Sequence, residues 1–302
     1  MCQGKLKFFF DSKSFHYQGV DEPFHLQKTE LRDYEENRGI IMLLNHLKPF
    51  EGKKALILGL ANERSLAWSI AQHLHQGGAQ LAFNYLGDAL ERRVRPLAES
   101  VQADIIFPCN VADDSQIDAI FDQVKQKWGG LDYLIHSVAF ANREDLDGRF
   151  VETSREGFRT ALDISAYSLV ATARRAEPLM QGREGSIVTL SYYGAEKVVP
   201  NYNIMGVAKA ALEACVRYLA YDLGKNKIRV NAISAGPVKT LAAAGIRNFR
   251  EMLSSAAEKN PLHENISADD VGALAAFLCS PMGKHITGST LYVDSGAHIM
   301  GA

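Results

Sequence analysis

Cysteine is scarce and dispersed in this chain, which excludes several classes of protein. The cysteines are Cys2, Cys109, Cys215 and Cys279. With no CxxC pair and no dense framework, they argue against a disulfide-stapled secreted domain and favour a reducing cytoplasm. The histidines also lack metal-ligand spacing, because His73 and His75 lie two positions apart on a predicted helix and diverge around it. We therefore expect a cytoplasmic protein without a metal site.

Long apolar runs and an excess of charge of either sign are also missing. No stretch approaches the roughly 20 apolar residues of a membrane-spanning helix. The formal net charge is -2, so neither nucleic acid nor an anionic membrane is expected as the main partner. Hydrophobic residues make up 47% of the 302 residues and charged residues 23%, which is enough apolar material for a sizeable core. This length permits one large domain or two ordinary ones.

Residues 1–46 differ in pattern from the rest of the chain. They mix aromatic and charged residues with no sustained helical or strand period. The aromatic run at 8–10 is too short for the apolar core of a signal peptide, and the acids between positions 30 and 36 argue against a transit peptide. Met42 then precedes the ordered patterning. We predict a dispensable or poorly ordered N-terminal extension over 1–46 and one domain over 47–302.

From residue 53 onward, predicted strands alternate with predicted helices. The strands are KALIL (54–58), QLAFNY (80–85), ADIIFP (103–108), LDYLIHSVAFA (131–141), SIVTLS (186–191), IRVNAIS (228–234) and STLYVDSG (289–296). Helical patterns lie at 65–78, 87–101, 113–128, 155–181, 202–223, 246–259 and 269–279. This alternation implies right-handed crossovers and a parallel sheet covered on both faces. The prediction is α/β: a single doubly wound Rossmann-type domain with a parallel sheet of about seven strands and helices on both faces.

In such a sheet, ligands bind beyond the carboxyl ends of the strands. The loop after the first strand, GLANERS (59–65), lacks the GxGxxG pattern. Gly59 nevertheless permits a tight turn and close backbone approach, and the start of the next helix would attract a pyrophosphate. Ser65 could equally be the N-cap of that helix. The loop alone is therefore weak support for a dinucleotide site.

Residues after the third, fourth and sixth strands extend this edge. Asn110 and Val111 are placed to meet an adenine ring with one polar and one apolar contact. The small residues after strand four are Ser137, Val138, Ala139 and Ala141. They leave room for a ligand, although packing alone could explain each of them. Thr240 could reach a phosphate, although the preceding Gly-Pro turn needs no functional reason.

A tyrosine and a lysine share one predicted helix in the stretch NYNIMGVAK (201–209). Tyr202 lies seven positions before Lys209, which is close to two helical turns, so both side chains project from one face. Apolar residues surround them. Two explanations remain open: a cofactor lying along this face, or a solvated pair at the edge of the apolar stripe.

The order of these motifs resembles the short-chain dehydrogenase/reductase superfamily. Ordinary members place the tyrosine four residues before the lysine, where this chain has Met205 instead. Tyr192 lies ten residues before Tyr202, directly after SIVTLS. Together with HSVAFA, ISAGPVKTLAA and the terminal VDSG, Tyr192, Tyr202 and Lys209 resemble the divergent branch of the superfamily, the enoyl-acyl-carrier-protein reductases of bacterial type II fatty acid synthesis. The resemblance covers residues 47–302.

This resemblance implies reduction of trans-2-enoyl-acyl-carrier-protein by hydride transfer from a reduced nicotinamide cofactor. Moving the phenol back by three residues shifts it about 4.5 Å along a helix, towards a carbonyl two carbons from the hydride acceptor. Tyr202 would donate a hydrogen bond to the thioester oxygen. Lys209 would hold the nicotinamide ribose, and Tyr192 would bound the acyl pocket. An acyl carrier protein as partner and a homotetramer are also implied.

The resemblance also assigns ligand contacts. The residues expected to contact the dinucleotide are Gly59, Ser65, Leu66, Leu86, Asn110, Val111, Val138, Lys209, Val238, Lys239, Thr240, Leu241 and Ala242. Ala141 is expected to meet the substrate. The tip of strand two carries no cation to hold a 2′-phosphate, so NADH is predicted, and NADPH would require Arg64, Arg92 or Arg93 to turn inward.

Two other functions are alternatives to enoyl reduction. A carbonyl (3-ketoacyl) reductase on the same fold is disfavoured because Met205 cannot serve as an acid. A non-catalytic dinucleotide-sensing protein would be expected to lose the tyrosine–lysine pair, which this chain keeps.

Overall fold

The computed structural model describes residues 9–11, 14–16, 48–240, 253 and 257–301. The chain divides into two compact units, Met1–Pro49 and Phe50–Ala302. Within the first unit, two short strands, Phe9–Asp11 and Ser14–His16, pair antiparallel with Phe10 opposite Phe15. The sequence patterning did not predict this strand pair.

A parallel sheet of seven strands forms the centre of the second unit. The strands are β1 (Lys54–Leu58), β2 (Gln80–Tyr85), β3 (Ile105–Pro108), β4 (Tyr133–His136), β5 (Ser186–Ser191), β6 (Arg229–Ala235) and β7 (Thr290–Val293). Their order is β3-β2-β1-β4-β5-β6-β7, and every neighbouring pair is parallel. The predicted doubly wound sheet is confirmed. The direction of winding reverses between β1 and β4, the position at which such sheets open a ligand crevice.

The helices follow the predicted alternation with several differences. They are α1 (Leu66–Gln76), α2 (Gly87–Ser100), α3 (Asp114–Trp128), α4 (Arg143–Leu146), α5 (Arg155–Leu162), α6 (Ser168–Met180), α7 (Asn203–Gly224) and α8 (Ala268–Cys279). Short 3₁₀ turns lie at Phe150–Glu152, Tyr193–Ala195, Pro281–Gly283 and Ala297–Ile299. The helical pattern predicted over 155–181 is formed by α5, a π-helical turn at Asp163–Tyr167, and α6. The predicted helix at 246–259 falls largely outside the described residues.

One predicted boundary near the ligand crevice was wrong, and another is shifted by one residue. The fourth strand ends at His136 and not at residue 141, since the small residues after it form a loop. The helix predicted to begin at residue 202 begins at Asn203, and Tyr202 stands at its N-cap position with φ -107°. The two-turn argument for Tyr202 and Lys209 therefore applies only approximately.

Apolar residues cover both faces of the sheet. In β1, Leu56 and Leu58 pack on the side of α3, α6 and α7, whereas Ala55 and Ile57 pack on the side of α1, α2 and α8. All four are fully buried, as expected for a parallel strand with helices on both faces. Among the helices built from described residues, none has both the length and the hydrophobicity needed to cross a membrane.

Candidate active site

A cavity of about 810 Å³ opens at the carboxyl ends of β1 to β6. The predicted site residues that line it are Gly59, Ser65, Leu66, Leu86, Asn110, Val111, Val138, Ala141, Tyr192, Tyr202, Lys209, Val238 and Thr240. Lys239 is exposed and does not line the cavity. Leu241 and Ala242 lie outside the described residues. The fold thus brings together, around one cavity, residues from Gly59 to Thr240, which are 181 positions apart in sequence.

The turn after β1 requires a glycine. Gly59 has φ +92°, and a Cβ added there would lie 2.0 Å from the carbonyl oxygen of Ser137. The Gly59 amide donates to Oδ1 of buried Asn84 at 2.8 Å, and Nδ2 of Asn84 donates to the carbonyl of Cys109 at 3.0 Å. Asn84 therefore ties the ends of β1, β2 and β3 together. The sequence analysis considered the tip of strand two, where Asn84 lies, only for its lack of a cation and missed this role.

Ser65 does not cap α1 with its side chain, so the N-cap alternative is wrong in that respect. Its hydroxyl accepts hydrogen bonds from the amides of Ala61 at 3.2 Å and Asn62 at 3.0 Å, which closes the glycine loop. The first turn of α1 contains no acidic residue, and Leu66 at its start lines the cavity. The positive end of this helix therefore suits a phosphate group.

The far end of the cavity is lined by uncharged residues. Oδ1 of Asn110 accepts from the amide of Ala112 at 3.1 Å, which fixes the turn after β3, and Val111 beside it is nearly buried. Leu86 borders the cavity with 55% of its surface exposed. Arg64 lies in solvent, 73% exposed, with Glu63 at 3.8 Å. Among the described lining residues, no cation lies at this end.

Tyr202 and Tyr192 form the polar part of the opposite end. Their rings meet edge to face, with centroids 4.9 Å apart. Asn201 and Asn203, on either side of Tyr202, have φ +64° and +37°, a conformation that non-glycine residues rarely adopt. Such backbone is found where the surrounding structure holds it, often at functional sites. Burial raises the pKa values of both phenols, so each remains a neutral hydrogen-bond donor at neutral pH.

Lys209 lies buried on α7, with only 5% of its surface exposed. Its Nζ donates to the carbonyl of Leu190 at 2.7 Å, which uses one of its three N–H groups. Burial lowers the pKa of Lys209 to about 8, and the nearby Glu213 carboxylate opposes that shift. Glu213 accepts a hydrogen bond from the hydroxyl of Ser191, at the end of β5. A buried cation thus faces the same cavity as Tyr202.

A buried hydrogen-bonded network of His136, Thr189 and Ser168 lies near the Lys209 end of the cavity. His136, 1% exposed, lies 2.9 Å from the hydroxyl of Thr189 through Nδ1 and 2.7 Å from that of Ser168 through Nε2. Burial, together with the positive charge of Lys209, lowers the pKa of His136 to about 3, so the ring is neutral. His136 does not line the cavity and acts as a structural residue that sequence reasoning did not single out.

The π-helical turn directs Ser165 at the loop after β4. The Ser165 hydroxyl accepts from the amide of Phe140 at 2.9 Å and donates to its carbonyl at 3.0 Å. It also lies 3.7 Å from Sδ of buried Met205, four residues before Lys209, where the family resemblance led us to look for a tyrosine. Such turns recur at functional sites because they redirect side chains that a regular helix would place elsewhere.

The lining residues that the sequence analysis did not single out include Arg143, Leu146 and Ile164. They come from α4 and the π-helical turn, where no motif or regular spacing marks them. Within the described residues, no group of three or more His, Cys, Asp or Glu side chains is arranged to hold a metal ion.

Comparison with known proteins agrees with this geometry. A sequence model of the family described as enoyl-(acyl carrier protein) reductase matches residues 59–298. The enoyl-[acyl-carrier-protein] reductase [NADH] FabI of Aquifex aeolicus is 53% identical over 251 residues, which span 83% of this chain and 93% of that protein.

Solved structures lead to the same family. An enoyl-(acyl-carrier-protein) reductase of Anaplasma phagocytophilum in complex with NAD superimposes with a TM-score of 0.80 at 50% identity, covering 84% of this chain and 97% of that one. The Bacillus cereus enoyl-acyl carrier protein reductase with NADP+ and indole naphthyridinone has a TM-score of 0.82 at 49% identity, covering 84% and 99%. This chain therefore belongs to the enoyl-(acyl carrier protein) reductase family.

Proposed function

We propose that Tyr202, Tyr192 and Lys209 perform the family's reaction in this chain. The reaction is the reduction of trans-2-enoyl-acyl-carrier-protein to acyl-acyl-carrier-protein with NADH, the last step of the fatty acid elongation cycle. The observation that carries the assignment is that a neutral phenol at Tyr202 and a buried ammonium at Lys209 line one cavity, whereas the ordinary tyrosine position holds Met205.

NADH, when bound, supplies a hydride to the β-carbon of the enoyl thioester. The cavity suits a dinucleotide because the N-terminus of α1, with no acidic residue in its first turn, favours a pyrophosphate. Gly59, which lets the loop after β1 pass against Ser137, borders the same cavity. Asn110 and Val111 would flank the adenine. Val138, Leu86 and Val238 would form the walls, with Thr240 at a phosphate. Lys239 lies off the cavity, and the predicted contacts of Leu241 and Ala242 fall outside the described residues. Lys209 would hold the nicotinamide ribose.

Tyr202 would stabilise the charge that develops on the substrate. During reduction, negative charge gathers on the thioester oxygen, and a fixed O–H donor aimed at that oxygen lowers the barrier. The raised pKa of Tyr202 keeps its proton in place for this purpose. Lys209 adds positive charge nearby. Met205 carries no donor, so a carbonyl that receives hydride at its own carbon would lack an acid.

Tyr192 would bound the acyl pocket and support the Tyr202 ring. The two rings are in edge-to-face contact, so Tyr192 limits where Tyr202 can turn. Ala141, on the same cavity, would contact the substrate, since its small side chain leaves room for an acyl chain.

The reaction can be tested by following the loss of NADH absorbance with crotonyl thioester beside acetoacetyl thioester. We expect reduction of the crotonyl substrate and little or none of the acetoacetyl substrate. A faster rate on the acetoacetyl thioester would favour the 3-ketoacyl reductase instead. Tight NADH binding without turnover of either would favour the dinucleotide-sensing protein.

The partners and location belong to the same proposal. An acyl carrier protein would deliver the substrate, and a homotetramer is the expected assembly. Tyr218 and Tyr221 on α7, 76% and 86% exposed, would be buried in a contact with another copy. The free thiols of Cys109, Cys215 and Cys279 support a cytoplasmic location. Light scattering after gel filtration would measure the number of copies.

A further inference from the structure

One side-chain amide joins a wall of the cavity to the residue beside Tyr202. Nδ2 of Asn203 donates to the carbonyl of Leu146 at 3.2 Å and to that of Gly148 at 3.3 Å. Leu146 lines the cavity, and Asn203 follows Tyr202 directly as the first residue of α7. The Asn203 amide is thus a physical link between the cavity wall and the backbone that carries the phenol.

The segment at the other side of this link, residues 140–148, is itself firmly held, and we call it the wall segment. Asp145 in its middle is 8% exposed, and its Oδ1 accepts from the amide of Ser154 at 3.2 Å and its hydroxyl at 3.3 Å. Its Oδ2 accepts from Nδ2 of Asn142 at 3.3 Å. Gly157 leaves the space that this carboxylate fills, since a Cβ there would lie 1.8 Å from Oδ2. Asp145 therefore fixes the conformation of the wall segment, and the carbonyl groups to which Asn203 donates are held in place.

The backbone around Tyr202 needs such support. Asn201 and Asn203 both have positive φ, which costs energy in any residue with a Cβ, although asparagine tolerates it better than most. Gly194 packs closely on the ring itself, since a Cβ there would lie 2.5 Å from Cδ1 of Tyr202. The Tyr202 ring is held by packing, and the hydrogen bonds of Asn203 hold the adjoining backbone.

We propose that Asn203 is a positioning residue that couples the wall segment to Tyr202, so that the orientation of the Tyr202 hydroxyl depends on the position of the wall segment. The inference rests on the proposed role of Tyr202 in enoyl reduction. Loss of the Asn203 amide releases the wall from α7 and lets the Tyr202 backbone relax. Because a misplacement of about 1 Å can cost about 100-fold in rate, kcat falls when the phenol shifts. KM responds as well, because the released wall segment borders the substrate cavity.

The test uses Asn203→Gly and Asn203→Asp, with Asn201→Gly and Asn201→Asp as matched controls. Glycine keeps the positive φ and removes the donor, and aspartate keeps the shape and replaces the donor by an acceptor that repels two carbonyl oxygens. Asn201 also has positive φ and lies two residues away, and no hydrogen bond from its side chain to another described residue is seen. Each variant is assayed with crotonyl thioester and NADH, and NADH affinity and Tm are measured separately.

We expect both Asn203 variants to lower kcat about 10-fold and to raise KM for crotonyl thioester several-fold, with NADH affinity within about twofold of wild type. The Asn201 controls should match wild type. Wild-type kcat and KM in Asn203→Gly would overturn the coupling while leaving the proposed function intact. A fall in both Tm and NADH affinity in the two Asn203 variants would also overturn the coupling. Such a fall would show that the substitutions destabilise the whole protein and do not act on Tyr202 in particular. A wild-type enzyme inactive on enoyl thioesters would overturn the proposed function itself.

Discussion

The rings of Tyr192 and Tyr202 meet at 70°, with their centroids 4.9 Å apart. Tyr192 directly follows β5, and Tyr202 stands at the N-cap of α7. The 3₁₀ turn at Tyr193–Ala195 turns the chain back between them. Edge-to-face contact of this kind fixes ring orientation as well as burying area. The proposed roles of the two phenols can therefore be separated by removing one hydroxyl at a time.

Tyr202→Phe should lower kcat for crotonyl thioester about 100-fold, because it removes a donor to the thioester oxygen while the ring contact remains. NADH affinity should stay near the wild-type value. Tyr192→Phe is the matched control, with the same loss of one hydroxyl on the neighbouring ring, and should retain most of kcat. Equal losses in the two variants, measured by steady-state kinetics and NADH titration, would contradict the assignment of the donor to Tyr202.

Activity should fall as pH rises through about 8, because Lys209 loses its proton there. Lys209→Ala should weaken NADH binding.

The stability of the protein should also depend on pH through Lys209. In cofactor-free protein the pKa of Lys209 lies below the ordinary 10.5, so between about pH 8 and 10.5 the unfolded chain binds more protons at this position. The contribution of Lys209 to stability therefore increases with pH across that window. Denaturant titrations of wild type and Lys209→Met at pH 7 and 10 should show the wild type gaining relative to the variant, and a relative loss would contradict the burial of a charged lysine.

Gly194→Ala should reduce kcat, because the new methyl group would lie 2.5 Å from Cδ1 of Tyr202 and displace the ring. We expect a loss of about 10-fold or more, since orientation errors of this size are costly. Gly224→Ala, at the end of α7 with no atom of the described residues within 4 Å of the added Cβ, is the matched control and should leave kinetics unchanged. If Gly194→Ala keeps wild-type kcat, Tyr202 is not held by this contact.

NADH should be preferred over NADPH, as judged by the two specificity constants at fixed crotonyl thioester. The cavity end near Leu86 presents no cation among its described residues, and Arg64 is exposed beside Glu63. Arg64→Ala should accordingly leave the ratio unchanged. A clear NADPH preference that Arg64→Ala removes would show that this arginine turns inward to a 2′-phosphate.

Deleting residues 1–41, so that the chain starts at Met42, should leave kcat and Tm close to wild type. Residues 1–46 are proposed as a dispensable extension because their sequence shows no sustained period able to bury a face. Thermal unfolding and crotonyl reduction by the truncated and full-length proteins provide the check. A large fall in Tm on truncation would mean that this segment docks and stabilises the reductase domain at 47–302.

Much of the fold follows from local pattern. The apolar runs at 54–58, 80–85 and 186–191 form strands with the predicted bounds, because a strand buried on both faces leaves a continuous apolar signal. Alternation with amphipathic helices was then sufficient for the parallel, doubly wound sheet. The strand predicted over 131–141 extended five residues too far, since small residues in a ligand loop look like a buried strand.

The sequence by itself determined the sheet, the family and the identities of Tyr202 and Lys209, because these depend on residue type and spacing along the chain. Only the tertiary structure decided how that pair is held. Asn84 joins three strand ends, Ser65 closes the glycine loop instead of capping α1, and Asn203 reaches the wall segment more than fifty residues away. Each of these is a side-chain hydrogen bond to backbone, and its partner depends on which segments the completed fold brings within 3.5 Å.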